Sequence, residues 1–268
     1  MYKDNRNFMK SQMSNEDLIA TADIAKGISQ PVFEKEYSRD ANVVYLPKIT
    51  DDNAPKMTLY NAIRKRKSRR SYQQQALSLQ TLSFLLWATQ GVRDVVPGYL
   101  RYIKDGSGKN YLRTVATGGC VNSYDTYLAI LNVEGMKSGI WRYLPVEHYL
   151  VMEDEVSDLS DKMEIIFTNG SQNQSYTTLA GVVFFWCCTP YRGEWRYKET
   201  AHRLMLIDVG HISEQLYLAA EASNCSNCAI GAFHQQEADK LLGLDGEEQF
   251  TVLCSAIGVK PDLKAMEL

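Results

Sequence analysis

Eight consecutive residues, Gly181-Val-Val-Phe-Phe-Trp-Cys-Cys188, carry no polar side chain beyond two thiols. A strand with one wet face alternates apolar and polar residues, whereas a short, β-prone, continuously apolar run reads as a strand covered on both faces. Such a strand needs a layer packed on each side, and the chain supplies helices for it. Leu204 to Ser223 reads as a long helix with Ile207, His211, Gln215, Leu218 and Ala222 along one stripe; at ~1.5 Å per residue it spans about 30 Å. Ser78 is a good N-cap for a helix over Leu79 to Gln90, where Leu82, Leu85, Leu86 and Thr89 have helical spacing, and Gly91 supplies the stop. A short helix is expected over Gln236 to Leu242. Further strands are expected over Tyr127 to Val133, over Ile140 to Tyr143 and His148 to Met152 as a hairpin through Pro145, and over Phe250 to Ile257. Gly98 to Gly119 reads as a glycine-rich loop region. Central strands between helices give an α+β, three-layer architecture.

Residues 1 to about 55 hold three of the seven prolines and little periodicity beyond a short helical pattern near Asn15 to Ala25. They read as an extended N-terminal arm that wraps a partner surface, with residues 56–268 forming the domain. The amino terminus has no apolar h-region, and no stretch approaches the ~20 apolar residues of a membrane span. The six cysteines are dispersed, several within apolar runs, which argues for buried thiols and a cytoplasmic setting.

The net charge is −3, yet six of the seven residues from Arg64 to Arg70 are basic. This patch has three readings. A nucleic-acid surface would need basic residues elsewhere, and the remainder is acidic. A solvated helix end needs nothing. A phosphate cradle needs guanidinium forks interleaved with a hydroxyl, and Arg66, Ser68 and Arg70 alternate so that an extended segment would aim all three the same way. Cys225-x-x-Cys228 has no second ligand pair to complete a zinc site and reads as buried thiols, so no metal is expected. His211, inside the long helix, reads as a core histidine rather than a catalytic base. No nucleophile elbow, HExxH or Walker pattern is present, which removes support for hydrolase chemistry and leaves no catalytic side chain assigned.

Arg66-Lys-Ser-Arg-Arg-Ser-Tyr72 followed by Leu79-Gln-Thr-Leu-Ser-Phe-Leu-Leu-Trp-Ala-Thr-Gln-Gly91 resembles the opening of the nitroreductase family of FMN flavoproteins. Arg113 to Tyr127, Gly139 to Tyr143, Trp195 to Tyr197, Asp208 to His211, Tyr217 to Glu221, Cys228 to Phe233 and Leu244 to Gly246 follow in order and resemble its SagB-type dehydrogenase branch. The resemblance implies a nitroreductase-like three-layer fold with a central, mainly antiparallel sheet covered by helices, in an intertwined homodimer with FMN at the subunit interface. It implies an FMN-dependent oxidoreductase that passes hydride between NAD(P)H or another donor and a small organic acceptor by a ping-pong route. The alternative is a flavin-binding or storage protein without turnover. Arg66, Ser68 and Arg70 then hold the phosphate and ribityl chain. Ala116, Thr117, Gly118 and Gly119 correspond to a Pro-Ser-Gly loop reaching in from the partner, with Ala and Thr replacing Pro and Ser. The turn at Ile230 and Gly231 faces the reactive edge of the flavin, Asn173 and Gln174 lie by its pyrimidine edge, and Lys260 adds a phosphate contact. Tyr124, Trp195 and Phe233 are the candidate walls of the substrate pocket, each with core packing as its alternative.

Overall fold

The computed structural model describes residues 2–11, 20–98, 108–169 and 172–262. In chain order its elements are α1 (Tyr2–Phe8), β1 (Val43–Tyr45), α2 (Leu59–Lys65), α3 (Leu79–Gln90), β2 (Val92–Pro97), β3 (Lys109–Arg113), β4 (Tyr124–Ile130), β5 (Gly139–Leu144), β6 (Tyr149–Asp154), α4 (Leu159–Phe167), β7 (Thr168–Asn169), β8 (Gln172–Asn173), β9 (Val182–Cys188), α5 (Pro190–Tyr197), α6 (Ala201–Ala222), β10 (Cys225–Ile230), α7 (Gln235–Leu241) and β11 (Phe250–Val259).

Every residue of β9 is buried. It lies inside a seven-stranded sheet ordered β1-β6-β5-β4-β9-β11-β10, with every pairing antiparallel. Its side chains divide by parity. Phe184, Trp186 and Cys188 join Leu82, Leu85 and Leu86 of α3 and Val209, Ile212 and Leu216 of α6 in one core. Val183, Phe185 and Cys187 join Leu159, Met163, Ile166 and Phe167 of α4 and Ala238 of α7 in the other. The period-two alternation of a strand thus builds two separate cores, and the architecture is the three-layer α+β arrangement the sequence implied.

Helix α3 begins and ends where its caps place it, with the Ser78 hydroxyl accepting the Thr81 N–H at 3.1 Å. The β5–β6 hairpin also forms as expected. Strand β4 starts three residues earlier than the apolar run suggested, because Tyr124 to Thr126 continue the ladder against Cys188 to Trp186. The region from Gly98 to Gly119 is not loop throughout: Lys109 to Arg113 form β3, which pairs with β2 in a separate ribbon. Strand β2 is largely exposed and β3 mostly half-buried, so no apolar alternation announced them. His211 is exposed, not core; the buried side of α6 carries Met205, Val209, Ile212 and Leu216. Of the helical pattern near Asn15 to Ala25, residues 15–19 lie outside the described residues, and 21–27 form turns. Among the described residues no helix is long and apolar enough to cross a membrane.

Described parts of the N-terminal arm contact their own chain. Strand β1 adds the far edge of the sheet by pairing with β6. Phe33 stacks on Tyr111 at 3.8 Å, and buried Arg142 donates to the carbonyls of Lys35 and Glu36. Between these contacts, a Glu34 carboxylate oxygen accepts the Val146 N–H at 3.1 Å. Burial, only partly opposed by that N–H, pushes the Glu34 carboxyl up to about 7. A carboxyl raised on folding stabilises the fold in its protonated form. Its contribution is full below the ordinary carboxylate range and is lost as pH rises through about 7. Glu34→Gln stays neutral, so its melting temperature is expected to fall less than that of the parent between about pH 5 and about pH 8. Equal pH slopes in thermal melts would refute this.

Candidate functional site

Strand β10 ends the sheet, so the backbone groups on its outer side face no further strand. Such an edge must be covered. Here the segment after α2 runs along it: the Arg69 N–H donates to the Asn227 carbonyl at 2.9 Å, and the Gln73 N–H to the Val259 carbonyl on β11 at 2.9 Å. The next outward group on β10, the Ala229 N–H, donates to the Tyr217 hydroxyl of α6 at 2.9 Å. The same hydroxyl lies 2.8 Å from Ser68 Oγ. The basic segment is therefore fastened to both the sheet edge and the helix crossing behind it.

That fastening sorts the cations. Arg69 turns inward to the buried carboxylate of Glu221, which also takes Lys260 Nζ at 2.7 Å. Burial raises the Glu221 carboxyl, and the hydrogen bonds from Lys260 and Arg69 more than offset it, leaving it below the ordinary carboxylate range. Arg66 and Arg70 point elsewhere. The Arg66 guanidinium sits 5.2 Å from the Tyr217 ring centroid, and that of Arg70 lies 5.9 Å from the Tyr176 ring. Neither has a carboxylate partner among the described residues. Beside Cys228, with burial opposing and a Tyr176 hydrogen bond assisting, the Arg70 guanidinium is held above its ordinary value.

The far side of this group is set by Tyr176, whose hydroxyl donates to Gln174 Oε1 at 3.1 Å and reaches Cys228 Sγ at 3.5 Å. Gln174 in turn donates to the Ala232 carbonyl at 3.0 Å. Asn173 belongs to β8, and its side chain lies outside the described residues. Ile230 closes β10 and is buried, while a Cβ built on Gly231 would meet nothing within 4 Å. Arg66, Ser68, Arg70, Gln174, Ile230 and Gly231 thus gather around one end of β10. Lys260 is close by but is engaged by Glu221.

The segment from Ala116 to Gly119 is not part of this group within one chain. Thr117 Oγ1 donates to Asp208 at 2.8 Å and the Gly118 N–H to the same carboxylate at 3.0 Å. Asp208 lies nine residues before Tyr217 on α6, roughly 13 Å along the helix. Gly119 adopts φ +58°, where a Cβ would also strike the Tyr197 hydroxyl. Burial raises the Asp208 carboxyl, with the Thr117 and Gly118 donors pulling the other way.

Two of the three candidate pocket aromatics take their packing alternative. Tyr124 is buried in the core with its hydroxyl donating to the Met205 carbonyl at 3.0 Å. Trp195 is buried against Ala22 and Ile24, its indole N–H donating to the Ile28 carbonyl at 2.9 Å. Phe233 is half-buried, 6.4 Å from the Phe167 ring. Sequence reasoning missed Tyr217, Tyr176 and Glu221 as organisers of the site. The available signal was Tyr217 and Glu221 standing four residues apart on one face of the long helix.

Comparison with known proteins identifies the family and the fold. The nitroreductase family model matches residues 63–259. A Methanocaldococcus jannaschii protein bearing a nitroreductase name is 24% identical over 223 residues, covering 82% of this chain and 98% of that one. A crystal structure named for a nitroreductase of Ralstonia eutropha aligns with a TM-score of 0.62 at 20% identity, covering 87% of this chain and 97% of its own. A chain of the Escherichia coli microcin synthetase complex, solved with a truncated pro-microcin bound, aligns at 0.57 and 16% identity over 87% of this chain and 79% of its own.

Glu221 carries the consequence of this charge sorting. Glu221→Gln leaves two cations beside a buried neutral amide, and urea unfolding is expected to show a loss of about 3 kcal/mol. The exposed pair between Lys137 and Glu155, 3.0 Å apart, is the control. Glu155→Gln should cost less than about 1 kcal/mol.

Proposed function

The chain belongs to the nitroreductase family of flavin-dependent oxidoreductases, and from that premise we propose that it binds FMN and transfers hydride between NAD(P)H or another donor and a small organic acceptor. The observation that carries this reading is the gathering of Arg66, Ser68 and Arg70 without a neutralising carboxylate among the described residues, beside the open space over Gly231. Two guanidinium forks and a hydroxyl suit a phosphate monoester. A glycine at the end of a rigid strand leaves room for a flat ring to approach backbone.

Bound FMN supplies the hydride-accepting ring. The chain's own task is then to bind and orient. Arg66 and Arg70 neutralise the phosphate, the end of β10 offers backbone to the ring, and Gln174, fixed by Tyr176, presents an amide to its polar edge. Phe233 remains our candidate wall for the acceptor. The ordered motifs favour the SagB-type dehydrogenase branch. A homodimer fits the exposed apolar residues Leu59, Tyr60 and Ile63 of α2 and Leu206 and Ile207 of α6. In such a dimer the segment from Ala116 to Gly119 serves the partner's site. Six free cysteines fit a cytoplasmic setting.

The decisive experiment is an absorbance spectrum after FMN reconstitution, followed by stopped-flow mixing with NADH or NADPH. Flavin bands that bleach on mixing are expected. A colourless protein that binds no FMN by titration sinks the proposal, and bound flavin that no nicotinamide reduces turns it into a binding protein. Replacing Arg66 or Arg70 by Ala should weaken FMN about ten- to a hundredfold, from roughly 1.5 to 3 kcal/mol per charge-assisted contact. Lys67→Ala should change it little, and equal losses at all three would mean a diffuse field rather than a cradle.

A further inference from the structure

One hydrogen-bond direction at Tyr217 is fixed. The Ala229 N–H can only donate, so Tyr217 Oη is its acceptor at 2.9 Å. Its other neighbour is Ser68 Oγ at 2.8 Å, and either oxygen can donate across that contact; with one side of the phenol oxygen already taken, we assign the proton there to Tyr217. Ser68 is then an acceptor from within, and its own proton is left to donate outward. Ser68 is exposed, on the side where Arg66 and Arg70 have no carboxylate partner among the described residues. The Tyr217 ring meanwhile lies under the Arg66 guanidinium at 5.2 Å.

We infer that Tyr217 is a positioning residue for an anionic phosphate: through the relay Ala229 N–H to Tyr217 to Ser68 it sets the serine as a donor between two guanidiniums. The inference rests on the FMN reading above and adds to it a residue that touches no ligand. A serine free to rotate presents to a phosphate either a proton or a lone pair, and only the first is attractive. A bond accepted from behind occupies one of the two lone pairs and leaves the serine proton to turn outward. The relay also starts from the backbone of β10, whose next residues are Ile230 and Gly231, so the strand end and the phosphate donor are held in one register.

Tyr217→Phe removes the hydroxyl and keeps the ring beneath Arg66. The test is titration of FMN and of riboflavin, which has the ring and ribityl chain but no phosphate, against parent, Tyr217→Phe, Ser68→Ala and the double variant, followed by flavin fluorescence. The expected result is an FMN Kd raised about tenfold in Tyr217→Phe, with riboflavin affinity within about twofold of the parent. Ser68→Ala should show a similar FMN-specific loss, and Tyr217→Phe should add nothing further in its background. Equal weakening of both flavins, fully additive losses, or an FMN affinity indifferent to Ser68→Ala would each overturn the inference. So would a parent that binds riboflavin as tightly as FMN. Should Tyr217→Phe fail to fold, Ser68→Ala decides alone, because an unchanged ratio of FMN to riboflavin affinity leaves the tyrosine nothing to position. A parent that binds neither flavin would refute the FMN reading itself.

Discussion

An antiparallel sheet has to stop, and the way its last strand is sealed determines the rest of this site. Two outward groups of β10 are taken by a loop and a side chain, not by another strand: the Arg69 N–H donates to the Asn227 carbonyl, and Tyr217 accepts the Ala229 N–H. An uncovered edge would invite pairing with another chain. Sealing it with the residues after α2 places a densely basic segment against the sheet, where repulsion among six cations has to be managed. In our proposed reading, edge protection and phosphate binding therefore fall to the same dozen residues.

Glu221 does the managing. By pairing with both Arg69 and Lys260 it offsets part of the positive charge that faces the interior, while Arg66 and Arg70 have no carboxylate partner among the described residues. A buried carboxylate is tolerable only because both partners reach it with hydrogen bonds. The position of Glu221 follows from α6, whose apolar residues pack on the even-numbered side chains of β9 and so fix the rotation of the helix. Tyr217, one turn earlier on that helix, is aimed by the same packing. The even-numbered half of the sequence's most constrained segment thus sets the orientation of Tyr217 and Glu221.

How much of this could be read from the chain depended on whether the signal was local. The burial of β9, the hairpin of β5 and β6, and the capping of α3 each sit within one short stretch of chain and were legible. Strands β2 and β3 were not, because their ribbon has no apolar period to betray it. The alternation of Arg66, Ser68 and Arg70 suggested a shared direction, and the structure adds why: Arg69, between them, is consumed by Glu221, 152 residues away. Tyr124 and Trp195 illustrate the converse failure. An aromatic near a glycine-rich loop looks like a pocket wall until the strand register or the N-terminal arm covers it, and neither is visible one residue at a time. His211 failed likewise, since the stripe it shares with Ile207 and Gln215 marks the outer side of α6.

The segment from Ala116 to Gly119 shows how a departure in sequence is offset in structure. In the family this chain resembles, a proline stiffens the loop and a serine supplies a hydroxyl; here alanine and threonine stand in their places. Asp208 restores the stiffness by another route, binding the Thr117 hydroxyl and the Gly118 N–H with one carboxylate, while Arg196 donates to the Gly119 carbonyl at 2.6 Å. The same bonds spend the two donors that a ligand would otherwise use. In our proposed dimer the loop therefore contributes shape and acceptor oxygens to the partner's site, not protons. In the same proposal the donors to the phosphate are Arg66, Ser68 and Arg70, which the contacts with Tyr217 and Tyr176 of their own chain hold.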